Sequence, residues 1–190
     1  MNTRTAPSAH PEAPTGPTPS RETTAYWLWA HAPGTSLTAD SRPWSGKWLW
    51  FTPLRLLDRS WSTIHDATED GLLGYLSKAA TLINTRPESD GTRRPICVYT
   101  RDWRDIDDAQ RVLTSLRALG IVDNLIYKTN SDTRGGRYSA GASTFVAPAT
   151  KRKLVIPKRT REALEHHHAA RTQARKAAAA RRKAPAPKHT

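Results

Sequence analysis

The chain has 190 residues, enough for one domain of ordinary size, and its 30 Lys and Arg against 17 Asp and Glu give a formal charge of +13. The excess is uneven: residues 1–150 hold 17 basic and 15 acidic side chains, whereas residues 151–190 hold 13 and 2, so a nearly neutral domain carries a cationic tail. One cysteine, Cys97, excludes an intramolecular disulfide framework and a cysteine-based zinc site, and no apolar run approaches the ~18 residues of a membrane span.

Residues 1–24 are Pro-rich, with Pro7, Pro11, Pro14, Pro17 and Pro19 among small polar residues. Such a segment buries too little apolar area to offset its ordering entropy and is expected to be a disordered arm. It has no hydrophobic signal core, so a soluble, cytoplasmic protein is expected. Tyr26-Trp-Leu-Trp-Ala30 and Lys47-Trp-Leu-Trp-Phe51 are short aromatic runs bounded by Pro and Gly, which predicts strands. Leu57, Trp61, Ile64 and Thr68 recur at helical spacing over Leu56 to Asp70, closed by Gly71. Leu76 to Ile83 and Pro95 to Thr100 read as strands.

Asp102 is expected to begin the strongest helix, with Ile106, Ala109, Val112, Leu113, Leu116 and Leu119 as its apolar face and Gly120 as its stop. Ile121 to Tyr127 and Arg137 to Val146 supply the last strands. The order β-β-α-β-β-α-β-β predicts an α+β domain over 25–147, a curved antiparallel sheet with helices packed on one face. Residues 148–190 form an Ala-, Arg- and Lys-rich tail, helical from Arg159 to Lys183. After Leu164 that helix has no apolar stripe with which to pack.

Several of these residues resemble the fold of the cap-binding translation initiation factor 4E. The likeness lies in the aromatic first strand Tyr26-Trp27-Leu28-Trp29, Gly46-Lys47-Trp48-Leu49, Trp61 on the next helix, Ile96-Cys97-Val98-Tyr99-Thr100 and the helix end Ala118-Leu119-Gly120. A closer resemblance is to small relatives of that fold, the basophilic-leukaemia-expressed protein family. It is carried by Ser45-Gly46-Lys47-Trp48, Ser77-Lys78-Ala79-Ala80-Thr81 and Tyr127-Lys128-Thr129, then Asp132-Thr133 and Gly136-Arg137-Tyr138. The label phosphothreonine lyase domain is sometimes attached to that group. The resemblance spans roughly 25–147 and implies a phosphorylated ligand on the concave sheet face. In cap-binding proteins two tryptophans sandwich a methylated guanine while basic side chains hold phosphates, and Lys47 stands where that family has an arginine. The loop Ala30 to Ser45 is shorter than that family's and lacks its tryptophan-glutamate pair, so the resemblance implies a phosphorylated ligand rather than a cap specifically.

Most of the tryptophans are expected in the core, since aromatic side chains dominate core burial. Trp44, after Pro43 in a polar loop, is the candidate for stacking a base, a contact worth ~1–3 kcal/mol. Lys47 and Lys78 are the only lysines before Lys128. With Lys128, Arg134, Arg137 and Tyr138 they are the candidate phosphate contacts. Arg86, Arg93 and Arg94 are expected to be solvated. His65 and Asp66 read as a surface pair, and Cys97 as an inert buried thiol. His166-His167-His168 occupies consecutive helical positions that diverge, so neither metal nor cofactor is expected.

Gly136, Gly141 and Ser143 have phosphate-loop spacing without its lysine, which argues against a nucleotide triphosphatase. In the tail, Arg171, Arg175, Lys176, Arg181, Arg182 and Lys183 suit salt-sensitive, sequence-independent binding of RNA or DNA. Without an apolar face the helix does not suit a membrane surface. The expected function is a non-enzymatic module that holds a nucleotide or phosphorylated ligand and adds nucleic-acid affinity through the tail. A phosphothreonine lyase-like enzyme, with Lys78 or Lys47 as base, and a protein-interaction scaffold are the alternatives.

Overall fold

The computed structural model describes residues 18–35, 44–85, 91–134 and 143–183, with side chains through Ala179 except that of Arg134. The strands are β1 (Trp27–His31), β2 (Gly46–Pro53), β3 (Leu76–Ala80), β4 (Arg93–Thr100), β5 (Leu125–Thr129) and β6 (Phe145–Ala147). The helices are α1 (Leu57–Glu69), α2 (Ile106–Ala118), α3 (Asn130–Arg134) and α4 (Lys158–Lys183). The strands form one six-stranded sheet in the order β1-β3-β4-β2-β5-β6, and the pairs β1–β3, β3–β4 and β5–β6 are antiparallel. The α+β class is the one the sequence predicts. The chain divides into two compact units, Met1–Asp40 with Leu49–Thr100, and Ser41–Trp48 with Arg101–Thr190, with β2 contributing to both.

In the first unit, alternation along the strands decides which side chains meet α1. Thr68 on α1 hydrogen-bonds the Ser77 hydroxyl at 2.7 Å, so Ser77, its cross-strand partner Ala30, and with them Leu28 and Ala79, face the helix. The buried face of α1 is Leu57, Ser60, Trp61, Ile64, Ala67 and Thr68, as the sequence spacing predicts. Gly71 then turns the chain with φ +73, a left-handed conformation that an L side chain resists.

Within the arm expected to be disordered, residues 18–20 are tied to the domain. Ser20 bonds the Asp58 carboxylate through both its backbone N–H and its hydroxyl, and Leu82 N–H donates to Pro19 O at 3.3 Å. Residues 1–17 lie outside the described residues. Arg94, expected in solvent, is only 5 % exposed. It donates to the carbonyls of Thr81, Leu82, Gly91 and Arg93, and a guanidinium with that many donors can be buried when carbonyls take them. Arg93 is exposed, and Arg86 lies outside the described residues.

In the second unit, α2 begins at Ile106 rather than Asp102. The Asp105 carboxylate accepts the Asp108 N–H at 3.0 Å and caps the helix, whereas Asp102 is taken by Arg104. Ala109, Val112, Leu113 and Leu116 are buried, and the Trp48 indole donates to Ala109 O at 3.0 Å. Trp48 meets Tyr127 edge-on at 5.3 Å, and Tyr127 packs on Phe145 at 5.0 Å. β5 starts four residues later than expected, because the Ile121 and Asp123 carbonyls accept from Arg117 instead of a strand.

The tail joins this unit before it becomes a helix. Val155 pairs with Val146 in both directions beside β6. On α4, Thr160 is buried and Leu164 and His167 are half-buried, while His168 to Ala179 are exposed. No helix among the described residues is long and apolar enough to cross a membrane.

Candidate functional site

The face of the first unit's strands turned away from α1 carries its main chemical cluster. Because Ser77 points to α1, Lys78 points the other way, as do its direct cross-strand partners Trp29 on β1 and Cys97 on β4. The Lys78 ammonium stands 4.3 Å from the Trp27 ring centroid, 4.7 Å from Trp29 and 5.5 Å from Tyr99, each within the ~6 Å range of cation–π attraction. Tyr99 is buried, Trp27 and Lys78 are half-buried, and Trp29 is 39 % exposed. Among the described residues no carboxylate pairs with Lys78. Trp27 and Trp29 are thus not core residues like Trp48 and Trp61, which are 1 % and 2 % exposed. Tyr75, Leu76, Cys97 and Tyr99 form a buried cluster, with half-buried Trp27 and Leu49 packed against it.

Lys47 and Lys128 belong to the second unit and are 6 % and 4 % exposed. Tyr127 shares the side of β5 on which Trp48 packs, so Lys128 faces the opposite side, as Lys47 does on β2. The Lys47 ammonium donates to Asn130 Oδ1 at 3.0 Å, and Asn130 N–H donates to Ser45 O at 2.8 Å. The surroundings are hydroxyl-rich: Thr129 donates to Asp132 Oδ2 at 2.8 Å, and buried Ser143 and Thr144 lie at the start of β6. Burial lowers the Lys128 ammonium below its ordinary 10.5; Asp132 pulls it back up and Arg159 pushes it further down.

Trp44 is 49 % exposed, but its ring already has company. Arg104 Cζ lies 4.0 Å from the ring centroid, and the His167 ring from α4 stands at 6.4 Å. Arg104 also grips Asp102 through Nε at 2.8 Å and Nη2 at 2.6 Å, and its Nη1 donates to His167 Nε2 at 3.1 Å. Asp102, Arg104, Asp105, Leu164, His167 and Arg171 line a cleft of about 670 Å³ there. Burial would raise the Asp102 carboxyl, yet hydrogen bonds from the Arg104 side chain and backbone, with the charge of Arg104, hold it below its ordinary 3.8.

The structure therefore brings Lys47 and Lys128 into one unit and places Lys78 in the other. Arg134 closes α3, with its side chain outside the described residues, as are Arg137 and Tyr138. Arg171, Arg175 and Lys176 are exposed on α4; Arg181, Arg182 and Lys183 are helical in backbone. His65 pairs with Asp66 at 3.1 Å and Glu69 at 3.4 Å, and Cys97 is buried. No group of His, Cys, Asp or Glu among the described residues suits a metal ion. Sequence reasoning missed Trp27 and Trp29 as companions of Lys78. Their signal was a period-two aromatic strand, which equally fits a buried face.

None of the curated proteins compared with this sequence matches it. A family pattern described as basophilic leukemia-expressed protein Bles03 matches residues 34–134, a span that holds Lys47, Lys78 and Lys128 but neither β1 nor α4. That match covers more than half of the sequence, and the chain belongs to the Bles03 family.

Proposed function

We propose that this chain is a binding module for a phosphorylated ligand bearing a planar ring, such as a nucleotide, held on the face of β1, β3 and β4 turned away from α1. The observation that carries the reading is the half-buried Lys78 ammonium, set between tryptophan rings with no carboxylate partner among the described residues. A phosphate supplies a countercharge that no described residue gives this ammonium, and exposed Trp29 offers a surface on which a ring can stack. The resemblance to cap-binding folds serves here as architectural analogy only. The exposed basic side chains of α4 add sequence-independent affinity for RNA or DNA by displacing counterions from the backbone.

Titration of the full chain with adenosine monophosphate, followed by tryptophan fluorescence, tests the ligand site. Saturable quenching is expected, weakened roughly ten- to a hundredfold in Lys78→Met, the loss associated with a charged hydrogen bond. A flat titration to millimolar nucleotide, or one that Lys78→Met leaves unchanged, would sink the proposal.

A further inference from the structure

We infer that Lys78 sets the charge selectivity of this face: Trp27, Trp29 and Tyr99 build a cation site that the chain fills with its own ammonium. The ring-to-ammonium distances of 4.3, 4.7 and 5.5 Å come from three side chains on two flanking strands. Strand register sets that arrangement, since Trp29 lies directly across from Lys78 and Trp27 and Tyr99 lie on its diagonals. Electron-rich ring faces converging on one point attract a positive charge of any origin.

With Lys78 in place, a second cation meets like charge and no vacant ring face at that point. The face consequently accepts an anionic group attached to an uncharged ring and rejects quaternary ammonium groups and permanently cationic rings. Once the ammonium is removed and space is left, the same rings become a receptor for an external cation. The ligand side of this inference rests on the function proposed above; the cage itself does not.

The test uses the full chain and tetramethylammonium, with the indole N–H resonances of Trp27 and Trp29 as readout. Wild type is expected to show no saturable shift. Lys78→Ala, which vacates the cage, is expected to gain one, and Trp27→Ala in the same background is expected to remove it. Lys78→Met fills the space without charge and is expected to bind neither tetramethylammonium nor adenosine monophosphate appreciably.

A folded Lys78→Ala that ignores tetramethylammonium overturns the cage, as does a wild type that binds it equally well. If Lys78→Ala does not fold, Lys78→Ser, which also vacates the cage, takes its place: saturable tetramethylammonium shifts in it support the cage and their absence overturns it. If wild type ignores adenosine monophosphate while Lys78→Ala gains tetramethylammonium binding, the cage stands and the ligand reading fails.

Discussion

Arg104 sits with its guanidinium carbon 4.0 Å from the centroid of the Trp44 ring. The same guanidinium is held by Asp102 and reaches His167 on α4, so the aromatic ring, the start of α2 and the basic helix share one cation. Trp44 is half-exposed, but that side of its ring is engaged by the protein itself.

This junction makes the docking of α4 depend on His167 as a hydrogen-bond acceptor. Replacement by Gln, whose amide oxygen can accept from Arg104, is expected to preserve protection of α4 amides near His167 in hydrogen exchange. His167→Lys, which brings a second cation to Arg104, is expected to abolish it. Equal protection in both variants would assign the docking to Leu164 alone.

Acid is expected to loosen the Arg104–Asp102 pair only at low pH. The Asp102 carboxyl titrates below 3.8 in the folded chain. Its contribution is therefore complete above the unfolded value and is lost as pH falls through the lowered folded one. Thermal unfolding followed from pH 8 down to 3 should show a drop below about pH 4 that Asp102→Asn reduces.

Buried Lys47 relies in part on Asn130. Asn130→Ala withdraws an acceptor from a buried ammonium and is expected to cost about 1.5–3 kcal/mol, read from urea unfolding. A loss under about 0.5 kcal/mol, the range of surface substitutions, would show that other groups satisfy Lys47.

Gly74 lies against the backbone of Tyr99, where an added Cβ would fall on the Tyr99 carbonyl oxygen. Gly74→Ala is expected to destabilise the chain by about 1–3 kcal/mol through this overlap. The displacement should also shift the Trp29 indole resonance, because Tyr99 backs the Lys78 cluster.

Truncation after Ala170 removes seven basic residues. Affinity for a single-stranded homopolymer is expected to fall, and the slope of log K against log salt to shrink by about 0.7 for each phosphate that the tail had neutralised. An unchanged slope would place nucleic-acid binding elsewhere in the chain.

Much of this architecture is legible in the residues one element at a time. The spacing of Leu57, Trp61, Ile64 and Thr68 specifies the buried face of α1, and Ala109, Val112, Leu113 and Leu116 that of α2, because a helix of period 3.6 leaves its pattern in local sequence. Charge counting likewise separates the cationic tail, and Gly120 stops α2 with φ +83. What local sequence does not contain is strand register. Period-two alternation shows that Trp27 and Trp29 share a face, and that Lys47 and Lys78 each lie in a strand, but not what lies across from them. Only the pairing of β1 and β4 with β3 sets aromatic rings around Lys78, and only tertiary burial places Lys47 against Asn130 and Arg104 on Trp44. Each of these interactions joins residues far apart in the chain, so its energy depends on folding bringing them together.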